Sequence, residues 1–231
     1  MAVTTRYSSP EKAFSWSYSK LKNYEVCPKR HYHHDVAKDI KDEGEALLYG
    51  NRVHKMFEER LGPKQVPFPK EYAQDFEPWA QRFLNGIGDL KVEQQLAITK
   101  DYAPCDWFGK EAWYRAKGDV IKVHGPVAIV ADWKTGKVVE DSVQLMLTAA
   151  CVFYHYPEVQ VVRSMFVWLK EDADTVETIK RQDLIGFWNN MHDRIEALRL
   201  ATVNKEYPPY PNRLCQNFCR VTSCVYHGKR N

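Results

Sequence analysis

Residues 118–137 read GDVIKVHGPVAIVADWKTGK, and this stretch decides the architecture of the chain. Two runs rich in β-branched residues flank a turn at residues 124–126, which predicts two strands joined as a hairpin. Asp119 stands at the start of the first run and Asp132 at the end of the second. Because the strands of a hairpin run antiparallel, we expect the two carboxylates to lie close together.

Lys134 follows two residues after Asp132, and side chains spaced by two on a strand point to the same face. Trp133 is therefore expected on the opposite face. Two carboxylates beside an ammonium suit a site in which Mg²⁺ or Mn²⁺ promotes phosphodiester cleavage. The alternative is a hairpin with solvated charges at its ends, but the apolar residues 128–131 favour a buried strand.

The composition is typical of one globular domain, since 44% of the 231 residues are hydrophobic and 27% are charged. The net charge of +3 does not support nucleic-acid binding by bulk charge, so any basic surface must be local. No apolar run approaches the ~20 residues that span a bilayer, and the N-terminus lacks the apolar core of a signal peptide. These features predict a cytoplasmic protein that makes no membrane contact.

Helices and strands follow one another in an order typical of a mixed α/β domain. Five helices are predicted, ending near residues 26, 61, 84, 156 and 201. Strands are predicted at 91–99, 159–169 and 175–180, and two or three more are predicted within 111–134. We therefore predict a single α/β domain over residues 1–231, with a mixed central β-sheet flanked by helices.

Three further polar residues are candidates for the site. His54 lies four residues after Gly50 on one face of a predicted helix, where the glycine would permit close approach and the imidazole could bind metal. Gln144 opens the helix that follows the second hairpin strand, and Glu93 lies on a neighbouring strand. Taken singly, each of these three is explained at least as well as a surface or packing residue.

These residues occur in the order seen in the PD-(D/E)xK nuclease superfamily. The chain resembles the RecB-type branch, which includes phage exonucleases and CRISPR-associated four-cysteine exonucleases. The resemblance covers residues 15–228, and its matching positions are Gly50, His54, Gly118, Asp119, Asp132, Trp133, Lys134, Thr135, Gly136, Lys137 and Gln144. It implies a restriction-endonuclease-like core. One departure is Thr148, because the helix of this family usually continues Gln-x-x-x-Tyr.

The resemblance also implies a role for each site residue. The implied metal ligands are His54, Asp119, Asp132 and the backbone carbonyl of Trp133. Lys134 would act as the catalytic lysine beside the two aspartates. Gln144 would help to position substrate, and Glu93 would support the site.

A second candidate site consists of Cys27, Cys215, Cys219 and Cys224. Four thiolates can bind a 4Fe–4S cluster or a Zn²⁺ ion, and His227 offers a further zinc ligand. RecB-type nucleases with one cysteine before the core and three after it hold a 4Fe–4S cluster, which favours iron–sulfur. Such a cluster would join residues 15–34 to residues 207–228. Buried free thiols are the alternative, and the remaining Cys151 is expected in the core while Cys105 fits neither set.

We therefore predict a Mg²⁺- or Mn²⁺-dependent DNA exonuclease that hydrolyses phosphodiester bonds from DNA ends in recombination, repair or phage DNA metabolism. The expected substrate is DNA with a single-stranded end, and a phage-encoded protein would act in the host cytoplasm. The basic and aromatic residues 29–34 could bind a strand or form a solvated helix face. The alternatives are a catalytically inactive DNA-binding or recombination accessory module and a zinc-stabilised interaction protein.

Overall fold

The computed structural model describes residues 14–40, 44–139 and 141–229. Its centre is one six-stranded sheet. In chain order the strands are β1 (Asp89–Ile98), β2 (Pro104–Cys105), β3 (Tyr114–His124), β4 (Val127–Lys134), β5 (Val161–Trp168) and β6 (Ala173–Lys180). Their order across the sheet is β2-β1-β3-β4-β5-β6.

The predicted hairpin is confirmed. β3 and β4 pair antiparallel from Val120 opposite Ala131 to His124 opposite Val127. Gly125 at the turn has a φ of 53°, a conformation that glycine adopts without steric cost. β4 then pairs in parallel with β5, whereas the other neighbouring strands are antiparallel. The sheet is therefore mixed, as the sequence predicts.

Helices cover both faces of this sheet. The α-helices are α1 (Tyr18–Val26), α2 (Pro28–His31), α3 (Glu45–Leu61), α4 (Lys70–Leu84), α5 (Ser142–His155), α6 (Leu184–Asn204) and α7 (Leu214–Asn217); a π-helix spans Tyr32–Ala37 and a 3₁₀ turn spans Arg181–Asp183. The five predicted helices are confirmed to within a few residues, and β2, α2, α7, the π-helix and the 3₁₀ turn were not predicted. Among the described residues, none of the helices combines the length and the apolar character that crossing a bilayer requires.

Two apolar cores lie on the two faces of the sheet. On one face α3 and α4 pack against the sheet, and there Phe57 stacks on Trp133 with ring centroids 4.0 Å apart. On the other face α1, α5 and α6 pack around Phe153 and Met191. Cys151 is fully buried in this second core, which confirms its predicted place. Burial of each large apolar side chain contributes about 1.5–3 kcal/mol, so both faces of the sheet stabilise the fold.

Candidate active site

The side-chain alternation of β1 reverses at Glu93. Leu90 and Val92 pack with the α3–α4 core, whereas Leu96 and Ile98 pack with the α5–α6 core, although all four positions are even-numbered. In a regular strand, residues separated by an even number point to the same face. Glu93 has a φ of 55°, a left-handed conformation that costs about 1–3 kcal/mol for a residue other than glycine. This backbone turn accounts for the reversal in β1.

The neighbouring strand β3 reverses at the same level. Ala116 and Ile121, an even and an odd position, both pack in the α5–α6 core, and Val120 packs in the α3–α4 core. Gly118 makes this possible because a Cβ there would lie 2.9 Å from the side chain of Ile121. Asp119 stands in this segment, between Gly118 and Val120, which are the register partners of Gln94 and Val92 on either side of Glu93. The reversal therefore places one carboxylate from each strand at the same point of the sheet.

His54 of α3 completes a group of possible metal ligands with these two carboxylates. One ligand atom from each of His54, Glu93 and Asp119 lies within 4.8 Å of the other two, and within the described part of the chain this is the one such group. The distance from His54 Nδ1 to Asp119 Oδ2 is 3.2 Å. The Trp133 backbone N–H donates to the same Asp119 oxygen at 2.9 Å. Lys117 forms an ion pair with Glu93.

The second half of the site lies at the end of β4. Lys134 Nζ lies 2.7 Å from Asp132 Oδ2 and donates to Gln144 Oε1 at 3.1 Å. Gln144 Nε2 in turn donates to Asp132 Oδ1 at 2.8 Å. Lys134 Nζ also lies 4.6 Å from the centre of the Phe166 ring. Asp132 and Lys134 thus project together and are joined by one amide from α5, while Trp133 packs on the other face.

The electrostatics of the site favour a bound cation. Burial, followed by the negative charge of Asp119, raises the pKa of Asp132 to about 6, although Lys134 acts in the opposite direction. Asp132 Oδ2 is buried and accepts no hydrogen bond of good geometry from any described residue. Burial lowers the pKa of His54, but the hydrogen bond and charge of Asp119 outweigh it, so the net shift is upward. A divalent cation would offset the repulsion between the carboxylates.

The residues that the sequence singles out are thus brought together, with two differences in emphasis. Glu93, expected in support, lies in the candidate ligand group, whereas Asp132 is held by Lys134 and Gln144 beside that group. The Trp133 backbone also hydrogen bonds to His54. Lys117 was not predicted, and because the alternation of β3 reverses at Gly118, its spacing of two from Asp119 gave no signal that it belongs to the site.

Gly50 and Thr148, singled out by the sequence motif, occupy supporting positions. A Cβ on Gly50 would lie 3.2 Å from the Thr135 hydroxyl oxygen, so this glycine permits α3 to pass close to the end of β4. The Thr148 hydroxyl donates to the Gln144 backbone carbonyl at 3.1 Å. Thr148 therefore bonds within its own helix and makes no hydrogen bond to Asp132 or Lys134 among those of the described residues.

The second predicted site brings distant segments together. One cavity of about 20 Å³ is lined by Cys27, Cys215, Cys219 and Cys224. The backbone N–H of Tyr210 donates to Cys27 Sγ at 3.3 Å, and that of Asn212 donates to Cys215 Sγ at 3.4 Å. The Asn212 side chain also donates to the Val26 carbonyl at 2.9 Å, which ties the C-terminal segment to the end of α1. His227 and Cys105 do not line this cavity.

Residues 29–34 form parts of α2 and the π-helix, and they are not uniformly exposed. His31 is buried, lies 3.0 Å from an Asp35 carboxylate oxygen and packs beside Tyr24 and Tyr207. His33 lies 3.0 Å from an Asp39 oxygen. The predicted basic patch therefore has a histidine in the protein interior.

A mixed sheet that presents clustered carboxylates, a histidine and a lysine at adjacent strand ends defines a nuclease of the restriction-endonuclease-like fold. The chain belongs to the PD-(D/E)XK nuclease superfamily, whose family profile matches residues 15–224. The superfamily resemblance read from the sequence is thereby confirmed, and divalent metals are the cofactors on which such nucleases depend.

Solved structures show the same fold. A protein of Eubacterium rectale, provisionally described as an exonuclease, is 15% identical with a TM-score of 0.54; the alignment covers 95% of this chain and 93% of that one. A structure described as SSO0001 is 13% identical with a TM-score of 0.51, over 96% of this chain and 90% of that one. No curated protein matches the sequence significantly. At these identities the likeness concerns the fold alone.

Proposed function

We propose that the protein is a Mg²⁺- or Mn²⁺-dependent deoxyribonuclease that hydrolyses phosphodiester bonds from DNA ends. One observation supports this most strongly: the Asp132–Lys134–Gln144 set lies directly beside the ligand group of His54 and Asp119. A cation-binding group adjoining a half-buried, oriented ammonium is what phosphodiester hydrolysis requires.

The donors of the site match a hard divalent cation. His54, Asp119 and Glu93 would hold it. Asp132 and the Trp133 carbonyl, which both act on His54, would be further oxygen ligands. Carboxylate and carbonyl oxygens suit Mg²⁺ and Mn²⁺. The ion supplies Lewis acidity at the scissile phosphate.

The chain's own residues orient the attack. Lys134 is fixed by Asp132, Gln144 and the Phe166 ring, so its ammonium is directed without further loss of side-chain freedom. We propose that Lys134 orients the attacking water and stabilises the negative charge that develops on the phosphate. Gln144 bonds both partners and lines the adjoining cleft, which supports a role in positioning Lys134 and the substrate.

We also propose that the four-cysteine cavity holds a 4Fe–4S cluster, with Zn²⁺ as the alternative. Zinc bonded to sulfur at about 2.3 Å in a tetrahedron needs sulfur atoms about 4 Å apart. Among the described cysteines, no three have sulfur atoms within 4.8 Å of one another, so they do not form a ready-made tetrahedral zinc site, and metal analysis of the purified protein decides between the two occupants. The cluster would join residues 15–34 to residues 207–228 within one nuclease domain. Thiolate ligands also support a cytoplasmic location, where cysteines remain reduced.

The test uses DNA labelled at the 5′ or 3′ end, single-stranded or duplex, with protein purified anaerobically. We expect cleavage from ends with Mn²⁺ or Mg²⁺, none in EDTA, and resistance of circular single strands. Asp132→Ala and Lys134→Ala should each abolish cleavage, whereas Lys137→Ala, a lysine three residues further along, should retain it.

Near-wild-type cleavage by either of the first two variants would overturn the assignment. A wild-type protein that binds DNA ends and never cuts them would support an accessory module instead. A zinc-containing protein that neither binds nor cuts DNA would support a zinc-stabilised interaction protein. If the protein cleaves DNA from its ends, the pathways we propose for it are those that process DNA ends, in recombination, repair or phage DNA metabolism.

A further inference from the structure

A cleft of about 690 Å³ opens beside the catalytic residues, between α1, the first half of β3 and the start of α5. Its floor includes Trp16, Tyr114 and Ala116, which are buried core residues. Gln144 and Lys117 form its end nearest the catalytic set. The cleft is therefore a continuous depression that leads to the residues proposed to cut DNA.

The lining of this cleft is more basic than the protein as a whole. Lys20, Lys22, Arg115 and Lys117 line it, with Asp141 as the one carboxylate among its lining residues. The whole chain has 33 basic against 30 acidic residues. Arg115 donates to the neutral backbone carbonyls of Trp107 at 2.6 Å and Gly109 at 3.3 Å, so its positive charge is not neutralised by these contacts. The local charge suits a polyanion.

Aromatic rings stand beside these cations. Trp107 lines the cleft, and its neighbour Phe108 is 88% exposed. The bonds from Arg115 to Trp107 and Gly109 hold this loop, so the rings are carried on a fixed segment. Exposed rings stack on unpaired bases of any sequence, whereas the bases of a duplex are already stacked on one another. Basic and aromatic side chains on one surface therefore favour a single strand.

Lys117 stands at the junction of two depressions. It lines this cleft and also a second one beside α3, which includes Gly50, His54 and Thr135. Its side chain is 49% exposed, and its partner Glu93 belongs to the candidate ligand group. A cation bound by Glu93 would compete with the Lys117 ammonium and leave it available for a phosphate of the substrate.

We propose that the α1–β3–α5 cleft binds a single DNA strand and guides it past Lys117 to the catalytic residues. This rests on the proposed function in taking DNA as the substrate. Trp107 and Phe108 stack on bases upstream or downstream of the scissile bond, and Lys117 contacts a phosphate beside it. The cleft thereby gives the site its preference for single-stranded ends.

The test measures binding apart from cutting. Fluorescence anisotropy follows a fluorescein-labelled oligothymidylate in Mg²⁺ over a series of KCl concentrations, with every protein carrying Lys134→Ala so that it does not cut. Lys117→Gln should reduce the slope of log affinity against log salt by about 0.7, the value of one single-strand phosphate contact. Phe108→Ala and Trp107→Ala should weaken binding about 5- to 100-fold and leave the slope unchanged. Thermal melts check that each variant is folded. Because Phe108 is exposed, Phe108→Ala provides the aromatic test if Trp107→Ala does not fold.

Lys64→Gln and Phe218→Ala are matched controls, because both residues are exposed and both lie outside the cleft and outside the 107–109 loop that borders it. They should bind as wild type. Unchanged binding and slope in folded Lys117→Gln and Phe108→Ala would overturn the proposal, as would equal competition by unlabelled duplex. Asp132→Ala should still bind the strand, so loss of cleavage with intact binding identifies a failure of the catalytic assignment alone.

Discussion

Asp132→Asn is expected to abolish cleavage and to stabilise the folded protein at neutral pH in the absence of metal. Asp132 is half-buried beside Asp119, and its buried Oδ2 atom faces Lys134 Nζ at 2.7 Å. The remaining oxygen accepts from Gln144, a bond that asparagine preserves. The substitution removes a buried charge while retaining the shape of the side chain.

The magnitude follows from the pKa of Asp132, which rises from its ordinary value of 3.8 to about 6 on folding. The folded protein therefore binds this proton more tightly than the unfolded chain. The resulting stability is fully present below about pH 4 and is lost as the pH rises through about 6. At about 1.4 kcal/mol per pKa unit, the loss is at most about 3 kcal/mol. Because the new amide nitrogen would face Lys134, we expect a gain of about 1–2 kcal/mol.

Denaturant unfolding in EDTA at pH 7.5 and pH 4.5 measures this difference. The variant should exceed wild type in free energy of unfolding at pH 7.5, and the difference should shrink at pH 4.5, where Asp132 is protonated in the folded protein but still largely ionised in the unfolded chain. Titrating groups away from the site are common to both proteins and cancel in the comparison, whereas loss of the Asp132 charge also removes one cause of the raised pKa of His54. A variant less stable than wild type at pH 7.5, or one with the same advantage at both values, would refute the reasoning.

His54→Ala should raise the metal concentration needed for half-maximal cleavage by about tenfold or more, since a candidate ligand is lost; unchanged metal titrations would show that His54 is structural. Cys27→Ala should empty the cysteine site and lower the melting temperature, because a metal clip restricts the unfolded chain. The wild-type protein should be brown and contain about four irons per chain. A colourless wild-type protein without bound metal would contradict the cluster assignment. Gly118→Ala should destabilise by about 1–3 kcal/mol through its contact with Ile121, as measured by denaturant unfolding, and a stability equal to wild type would contradict the tight packing.

Much of the fold and part of the site could be predicted from local sequence pattern. The β3–β4 hairpin follows from two β-branched runs around a turn, and the common face of Asp132 and Lys134 follows from the period of two. The end of α3 near Leu61 and the long α6 follow from helical spacing and from the Gly62-Pro63 stop. These features depend on neighbours in the chain.

The arrangement around Glu93 could not be predicted in the same way. Its φ of 55° reverses the side-chain alternation of β1 in step with the reversal in β3 beside Gly118. A pattern read with a constant period of two assigns the later residues of both strands to the wrong face. For this reason Glu93 was expected only in support, and Lys117 was not expected at all.

The sequence by itself determined the class of the fold, the superfamily and the residue types of the site, because periodicity and motif order are properties of the chain. Only the tertiary structure decided which carboxylates meet His54, that Gln144 joins Asp132 to Lys134, and that Cys27 lies beside the C-terminal cysteines. Those contacts join residues far apart in sequence. The distances between these residues are set by strand register, by the local reversal of β1 and β3, and by the packing of α3 and α5 on opposite faces of the sheet. No local sequence pattern encodes these distances.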